Sequence, residues 1–322
     1  MATDRSHSHV EEIAGRNTTR LALALFITLA FVLVEGMAGY FANSLALLTD
    51  AAHNLTDVLA LALSWHALRL ATRPANPKRT FGYHRVGILV ALFNSTTLVL
   101  ISLGIFYEAY HRLIAPPQVQ AEVLTIVAAI AFVVNAGTAV IVRHGSENDL
   151  NLRSAFVHLA GDAISTCAAI LAGIGIALTG WVLLDPLVSI LIGLLILWNG
   201  WGVIRETLTI LLEGTPRGVD SDEIIRDLLN IDGIRGVHDL HVWCITQEMR
   251  SLSVHVATDD IPLSASIPIR NAINQMLFLK HGIAHATLQF EYIECEPNTL
   301  YCDLEHVNHQ HPVTVGDYTN NR

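Results

Sequence analysis

Residues 45–68 read LALLTDAAHNLTDVLALALSWHAL, and this stretch decides the fold class. Its length and apolar content predict a membrane-spanning helix, because about 20 mostly apolar residues cross about 30 Å of hydrocarbon. The stretch nevertheless contains His53 and Asp57. An ionisable group inside a membrane span costs at least ~2.5–3.5 kcal/mol and usually marks an ion path. The sequence therefore predicts an integral membrane protein with an ion-binding site among its helices.

Five further apolar runs are long enough to span a bilayer. They cover residues 21–41, 86–110, 123–142, 154–181 and 184–212. The 322-residue chain is 52% hydrophobic and 15% charged, whereas soluble domains are about 25% charged. This composition excludes an ordinary soluble enzyme, and the lack of a basic face excludes a nucleic-acid-binding protein. We expect a multi-pass protein with six transmembrane helices and with lipid as a partner.

The distribution of basic residues predicts the orientation. Ten Lys and Arg residues flank the spans on one side, and only Arg112 lies in the loops on the other. The ten are Arg5, Arg16, Arg20, Arg69, Arg73, Lys78, Arg79, Arg85, Arg143 and Arg153. The positive-inside rule then places both termini in the cytoplasm.

The composition changes after residue 213. Residues 215–322 contain 7 Lys and Arg against 15 Asp and Glu. Their patterns predict a helix at 222–230, strands at 236–245 and 250–258, a helix at 264–280 and a strand at 284–293. This α-β-β-α-β order is typical of a small α+β domain. The predicted parts are a cytoplasmic N-terminal segment (1–18), a transmembrane domain (19–213), a cytoplasmic α+β domain (214–296) and a flexible C-terminal tail (297–322).

Two spans share the pattern His-x-x-x-Asp. His53 and Asp57 lie in the second span, and His158 and Asp162 lie in the fifth. A four-residue gap puts both side chains of a pair on one helix face. Two opposed faces offer two imidazoles and two carboxylates, which suits a tetrahedral divalent ion, zinc above all. These residues could instead be polar contacts between helices, but the pattern occurs twice and its carboxylates lie inside membrane spans. Asp50, one turn before His53, is a supporting residue, an entry relay or a fifth ligand.

Four motifs occur together. They are the His-x-x-x-Asp pair, the stretch GYFANSLALLTDAAH at 39–53, the loop TFGYHR at 80–85, and Asp185-Pro186. In this order they resemble the cation diffusion facilitator family, and most closely its zinc-exporting branch. The resemblance implies a metallochaperone-like cytoplasmic domain, a homodimer, and metal–proton antiport by alternating access. It also implies that His53, Asp57, His158 and Asp162 are the transport ligands, and that His at position 53 favours zinc over cadmium.

The resemblance suggests two further features near the membrane surface. His84 matches a region that often holds an interfacial metal, although this loop supplies one His where fuller sites supply several. Arg85 and Glu213 match a charge pair between the membrane part and the linker. The alternatives are a structural or headgroup-facing His84 and an Arg85 that extends its charge to the interface.

The cytoplasmic domain contains candidate metal ligands of a different kind. His238 and His241 lie three residues apart on one predicted strand, so they point to opposite faces unless a bulge intervenes. By resemblance, His238, His255 and Glu291 match positions that hold regulatory zinc. The set His241, Cys295 and Cys302 resembles relatives of the eukaryotic type instead. The alternative is that these are strand-surface residues with inert thiols.

These observations predict a secondary transporter that exports Zn²⁺, with other divalent transition metals as alternative substrates, in exchange for protons. Zinc and protons compete for imidazoles and carboxylates, so a proton gradient can drive metal the other way. The competing hypotheses are an intramembrane zinc enzyme and a membrane metal sensor. No His-Glu-x-x-His motif occurs in the chain, and four protein ligands would close the zinc site to catalysis. We therefore expect no enzyme, and we expect the inner membrane of a bacterium as the location.

Overall fold

The computed structural model describes residues 28–143 and 150–292. The predicted N-terminal segment 1–18 and tail 297–322, together with Cys295 and Cys302, lie outside the described residues. The chain divides into two compact units, Met1–Leu208 and Thr209–Arg322. The first is helical, and the second combines helices with a sheet.

The described part of the helical unit contains six helices. Their bounds are α1 Thr28–Phe41, α2 Leu45–Ala71, α3 Val86–Ile114, α4 Ala121–Arg143, α5 Leu150–Thr179 and α6 Leu184–Leu211. Helices α3 to α6 are long and apolar enough to cross a membrane. Helix α2, with 27 residues, is long enough but less apolar, because it contains Asp50, His53 and Asp57. The predicted α-helical membrane fold is confirmed.

The packing of this unit suits a lipid environment. Large apolar side chains point outwards, with Trp198 82% and Leu178 81% exposed. Small residues allow close helix contacts inside, as is common in membrane bundles. A Cβ atom at Gly173 of α5 would overlap Oγ1 of Thr125 in α4 and would lie 3.2 Å from the backbone nitrogen of Thr125. Glycine is therefore required where these two helices meet.

A buried carboxylate fixes the start of α2. Asp185, in the first turn of α6, is fully buried. It accepts hydrogen bonds from Ser44 Oγ at 2.6 Å, from Leu45 N at 2.7 Å and from Ala46 N at 3.1 Å. The first N–H groups of a helix lack partners within the helix, and the helix dipole favours a negative charge there. Asp185 therefore ties the beginning of α2 to the beginning of α6.

The second unit is the predicted α+β domain. It contains α7 Ser221–Leu229, β1 Gly236–Cys244, β2 Arg250–Ala257, a 3₁₀ turn at Leu263–Ala265, α8 Ser266–His281 and β3 Ile283–Glu291. The sheet order is β1-β2-β3, with β1–β2 antiparallel and β2–β3 parallel. Apolar residues of both helices and all three strands form one core. The predicted order of elements is confirmed.

An ionic contact joins the two helices of this domain. Asp227 of α7 lies 2.8 Å from Lys280 Nζ and 2.9 Å from His281 Nε2, at the end of α8. The lysine and then the histidine hold the pKa of the Asp227 carboxyl below its usual value. This contact stabilises the packing of α7 against α8 above the usual pKa of an aspartate, and it weakens as the pH falls through the lowered pKa.

Candidate metal-binding sites

The two His-x-x-x-Asp pairs face each other across α2 and α5. His53 Nε2 lies 3.5 Å from Asp57 Oδ2 and 3.4 Å from Asp162 Oδ1. His158 Nε2 lies 3.1 Å from Asp57 Oδ2 and 3.5 Å from Asp162 Oδ2. The structure thus brings all four predicted ligands together, each imidazole beside both carboxylates.

These distances match a tetrahedral zinc site. With zinc–nitrogen and zinc–oxygen bonds near 2.1 Å, the ligand atoms of a tetrahedron are about 3.4 Å apart. One donor atom each from His53, His158 and Asp162 lies within 4.8 Å of the others. Asp57 Oδ2 and His53 Nδ1 are buried and have no hydrogen-bond partner of ordinary geometry among the described residues. Asp57 is not part of that three-residue group, and its Oδ2 lies 3.5 Å from His53 Nε2 and 3.1 Å from His158 Nε2.

Two cavities extend from the ligands. One of about 290 Å³ is lined by Ser64 of α2, Asn94 of α3 and Asn199 of α6. The other, of about 330 Å³, is lined by Phe31 of α1, Leu61 of α2 and Asn135 of α4. Asp57 and His158 border both. Every α2 residue that lines them is His53 or lies after it, so both cavities lead towards the end of α2.

The other side of the ligands is packed. Leu47 at the start of α2 joins a buried cluster with Leu124 of α4 and Ala169 and Ile176 of α5. Leu47 and Leu124 are at most 1% exposed. Among the described residues, the cavities beside the candidate ligands therefore extend towards the end of α2, and the apolar cluster lies towards its start.

Asp50 lies outside the ligand group. It is 3% exposed, and its Oδ2 accepts a hydrogen bond from Asn54 Nδ2 at 3.2 Å. Among the described residues, the three-residue donor group contains neither Asp50 nor Asp57, but Asp57 Oδ2 lies within 3.5 Å of both imidazoles. A supporting or relay role therefore fits Asp50 better than direct ligation.

A second donor group forms in the α+β domain. His238 of β1 and His255 of β2 are paired across the strands, and their rings lie 5.0 Å apart. Glu291 at the end of β3 lies 3.2 Å from His238 Nε2 and 3.1 Å from His255 Nδ1. One donor atom from each of the three lies within 4.8 Å of the others. Two imidazoles and a carboxylate form a set that suits zinc.

A bulge in β1 adds a residue that the sequence reasoning missed. The strand register shifts between His238 and His241, and Asp239 adopts a left-handed φ of 51°. Asp239 then lies 3.6 Å from His255 Nε2 and 3.1 Å from His241 Nε2. The sequence signal that could have identified Asp239 as a candidate was an acidic residue lying between two His residues. Strand β1 therefore contains the bulge without which His238 and His241 would point to opposite faces. Asp239 contacts both His241 and His255.

The remaining candidates stay predictions. Among the described residues, no metal-ligating group of three or more includes His84, which precedes α3. The charge pair of Arg85 with Glu213 is likewise untested.

In the α+β domain, Cys244 is 4% exposed, and burial raises the pKa of its thiol. A thiolate is therefore disfavoured there.

Comparison with known proteins covers nearly the whole chain. Residues 21–212 match the family described as the cation efflux transmembrane domain. Residues 216–293 match the family described as the cation efflux protein, cytoplasmic domain. The two matches correspond to the helical unit and to the α+β domain.

Several bacterial proteins are similar over most of their length. The chain is 38% identical over 296 residues to the metal cation efflux system protein CzcD of Cupriavidus metallidurans, covering 92% of each chain. It is 40% identical to the cadmium, cobalt and zinc/H(+)-K(+) antiporter of Bacillus subtilis, covering 88% of this chain and 91% of that one. It is 35% identical to the zinc transporter ZitB of Pectobacterium atrosepticum, covering 97% and 96%.

Proposed function

Because the chain belongs to the cation efflux family, we propose that it exports Zn²⁺ from the cytoplasm in exchange for protons, by presenting one intramembrane site to each side in turn. Membership makes the protein an integral membrane transporter and not an enzyme. It also confirms the resemblance drawn from the motifs. The ion, the counter-ion and the mechanism are the proposal.

One observation carries the proposal: the four His–Asp distances of 3.1 to 3.5 Å between α2 and α5. They fit the edges of a tetrahedron around zinc. Two carboxylates neutralise the double charge of the ion inside the membrane, where an isolated charge is costly. The relatives from Bacillus subtilis and Pectobacterium atrosepticum have zinc in their names, which supports zinc as the substrate.

The same ligands supply the exchange with protons. Zinc requires neutral imidazoles and ionised carboxylates, so binding releases protons. When the metal leaves, two carboxylates and two imidazoles remain in a poorly solvated site, which favours proton uptake. Zinc and protons therefore occupy the site by turns. A proton gradient directed into the cytoplasm then drives zinc outwards.

The two cavities suggest which side the site faces. If both termini are cytoplasmic, α2 ends at the cytoplasmic surface, because an odd number of spans precedes it. The cavities that border Asp57 and His158 then open towards the cytoplasm, and the cluster around Leu47 and Leu124 closes the outer side. This arrangement is the state that takes up zinc.

The α+β domain regulates and pairs the transporter in this proposal. His238, His255 and Glu291 form its zinc site, with Asp239 beside it. Metal binding there orders a domain that joins two copies of the chain as a homodimer. The inner membrane of a bacterium is the proposed location, since the similar proteins described above are bacterial.

The proposal is tested with purified protein in liposomes that carry a fluorescent zinc indicator inside. An imposed pH gradient should accelerate zinc flux through the wild-type protein. Asp57→Asn and Asp162→Asn should abolish that flux, because each removes a charge that the dication needs. Asp232→Asn changes an exposed carboxylate of the α+β domain and serves as the matched control.

Three outcomes would contradict different parts of the proposal. Normal flux in either site variant means that the assigned ligands are wrong. Zinc flux that does not change with the pH gradient contradicts proton exchange. A wild-type protein that binds zinc without any flux favours a membrane sensor.

A further inference from the structure

Two buried carboxyl groups lie side by side between the ligands and the packed end of the helical unit. Glu35 of α1 is fully buried, and Asp50 of α2 is 3% exposed. The polar side chains beside Glu35 are Asp50 and Asn54. Asp50 is one helical turn before His53, on the side of the Leu47 cluster and away from the two cavities.

Among the described residues, no Lys or Arg is one of the groups that face Glu35 or Asp50. Both oxygens of Glu35 and Oδ1 of Asp50 are buried, and none has a hydrogen-bond partner of ordinary geometry among the described residues. Asn54 Nδ2 donates a hydrogen bond to Asp50 Oδ2 at 3.2 Å, and Asn54 also lies beside Glu35. Two ionised carboxylates in such surroundings repel each other and lose their hydration. The pair is stable only when a cation sits between them, and the smallest such cation is a proton.

The pair also senses the charge at the metal site. The groups that face Asp50 electrostatically are Glu35, Asn54, His53 and Asp162. Two of these, His53 and Asp162, are proposed zinc ligands. Zinc at the four-ligand site places a double positive charge nearby, which opposes a proton on the pair and stabilises two carboxylates. Loss of zinc reverses the effect.

We propose that Glu35 and Asp50 share a transported proton, which leaves when zinc binds to the four ligands and returns when zinc departs. The pair is then a proton-binding site separate from the zinc ligands. By linkage, a proton on the pair weakens zinc binding as much as zinc weakens proton binding. This inference rests on the proposed function, since it adds a second source of protons to the exchange.

Proton release per zinc ion is the measurement that tests the pair. Full-length protein is titrated with zinc by calorimetry in buffers of different ionisation enthalpy, which gives the number of protons released. Removing the shared proton should lower the count by up to about one per zinc ion at the transmembrane site. We expect this for Glu35→Gln and, independently, for Asp50→Asn. The control Glu122→Gln changes an exposed carboxyl group of α4 and should leave the count at the wild-type value.

Glu35→Gln and Asp50→Asn each remove one carboxyl group of the pair, so the test can still be decided if one of these variants fails to fold. An unchanged proton count in the variants that fold, with zinc still bound, overturns the inference. A reduced count restored by Glu35→Asp supports it, because the carboxyl group and not the side-chain shape is responsible.

Liposome flux separates this inference from the proposed function. Glu35→Gln should still pass zinc down a zinc gradient but respond less to an imposed pH gradient, whereas Asp57→Asn should lose zinc flux under both conditions. If the wild-type protein ignores the pH gradient, the proposed antiport is wrong. If the wild-type protein responds and Glu35→Gln responds equally, only the role of the carboxyl pair is wrong.

Discussion

At the scale of single residues, His53 is the more buried of the two transmembrane histidines. Its side chain is 15% exposed, against 49% for His158, and its Nε2 faces both carboxylates. An imidazole offers one nitrogen in a fixed direction, which favours the tetrahedral geometry of zinc. A carboxylate at the same place could bind through one or both oxygens and would accept ions with longer bonds. His53 is therefore the residue at which we expect ion choice to be set.

We predict that His53→Asp raises the ratio of cadmium flux to zinc flux in the liposome assay, because a third carboxylate relaxes the geometry around the ion. His66→Asp changes an exposed residue of the same helix and should leave the ratio unchanged. Equal ratios in wild-type and His53→Asp protein would show that His53 does not select the ion.

The proximity of the four candidate ligands could be predicted from the sequence, since a four-residue spacing determines a shared helix face. Asp239 could not, because its position depends on a bulge. Strand alternation alone places His238 and His241 on opposite faces, and only the left-handed φ of Asp239 turns the chain between them. The unpartnered oxygens of Glu35 also depend on tertiary packing, because the sequence shows a carboxyl group in a span but not its neighbours.

At the scale of elements, helix α2 is held at its start by a residue from another helix. Asp185 accepts three hydrogen bonds from residues 44 to 46, and Ser44 Oγ also accepts from Leu47 N at 3.3 Å. Helix bounds could be predicted within a few residues, because apolar runs end at polar loops. The partner of the α2 start could not, since the contact joins residues about 140 positions apart.

We predict that Asp185→Asn destabilises the membrane domain by roughly 1.5–3 kcal/mol, the value of a hydrogen bond to a charged group. The asparagine amide would present N–H groups to backbone N–H donors. Ser44→Ala should cost less, about 1 kcal/mol, as for an N-terminal cap. Thermal unfolding in detergent measures both, and a variant Asp185→Asn as stable as the wild type would contradict the role of this contact.

At the scale of the whole molecule, the two candidate metal sites lie in separate compact units, Met1–Leu208 and Thr209–Arg322. Each contains its own donor group, one among helices and one at the end of a sheet. The core of the α+β domain draws only on its own helices and strands. The transmembrane site therefore needs no ligand from the second unit.

We predict that a chain ending at Gly214 keeps the zinc ion that depends on Asp57 and loses the zinc ion of the α+β domain. Its homodimer should dissociate more readily, because the cytoplasmic domain is absent. Metal content per protomer after gel filtration measures the first effect, and the elution volume measures the second. Loss of all zinc from the shortened chain would show that the membrane site depends on the second unit.

The hydrogen bonds between Asp185 and the start of α2 also limit how the helices can rearrange. If these bonds persist throughout a transport cycle, the starts of α2 and α6 stay together as a pivot, and displacement grows with distance from it. During opening and closing, the two helices then move least at this contact and most at their other ends, where α2 ends at Ala71 and α6 ends at Leu211.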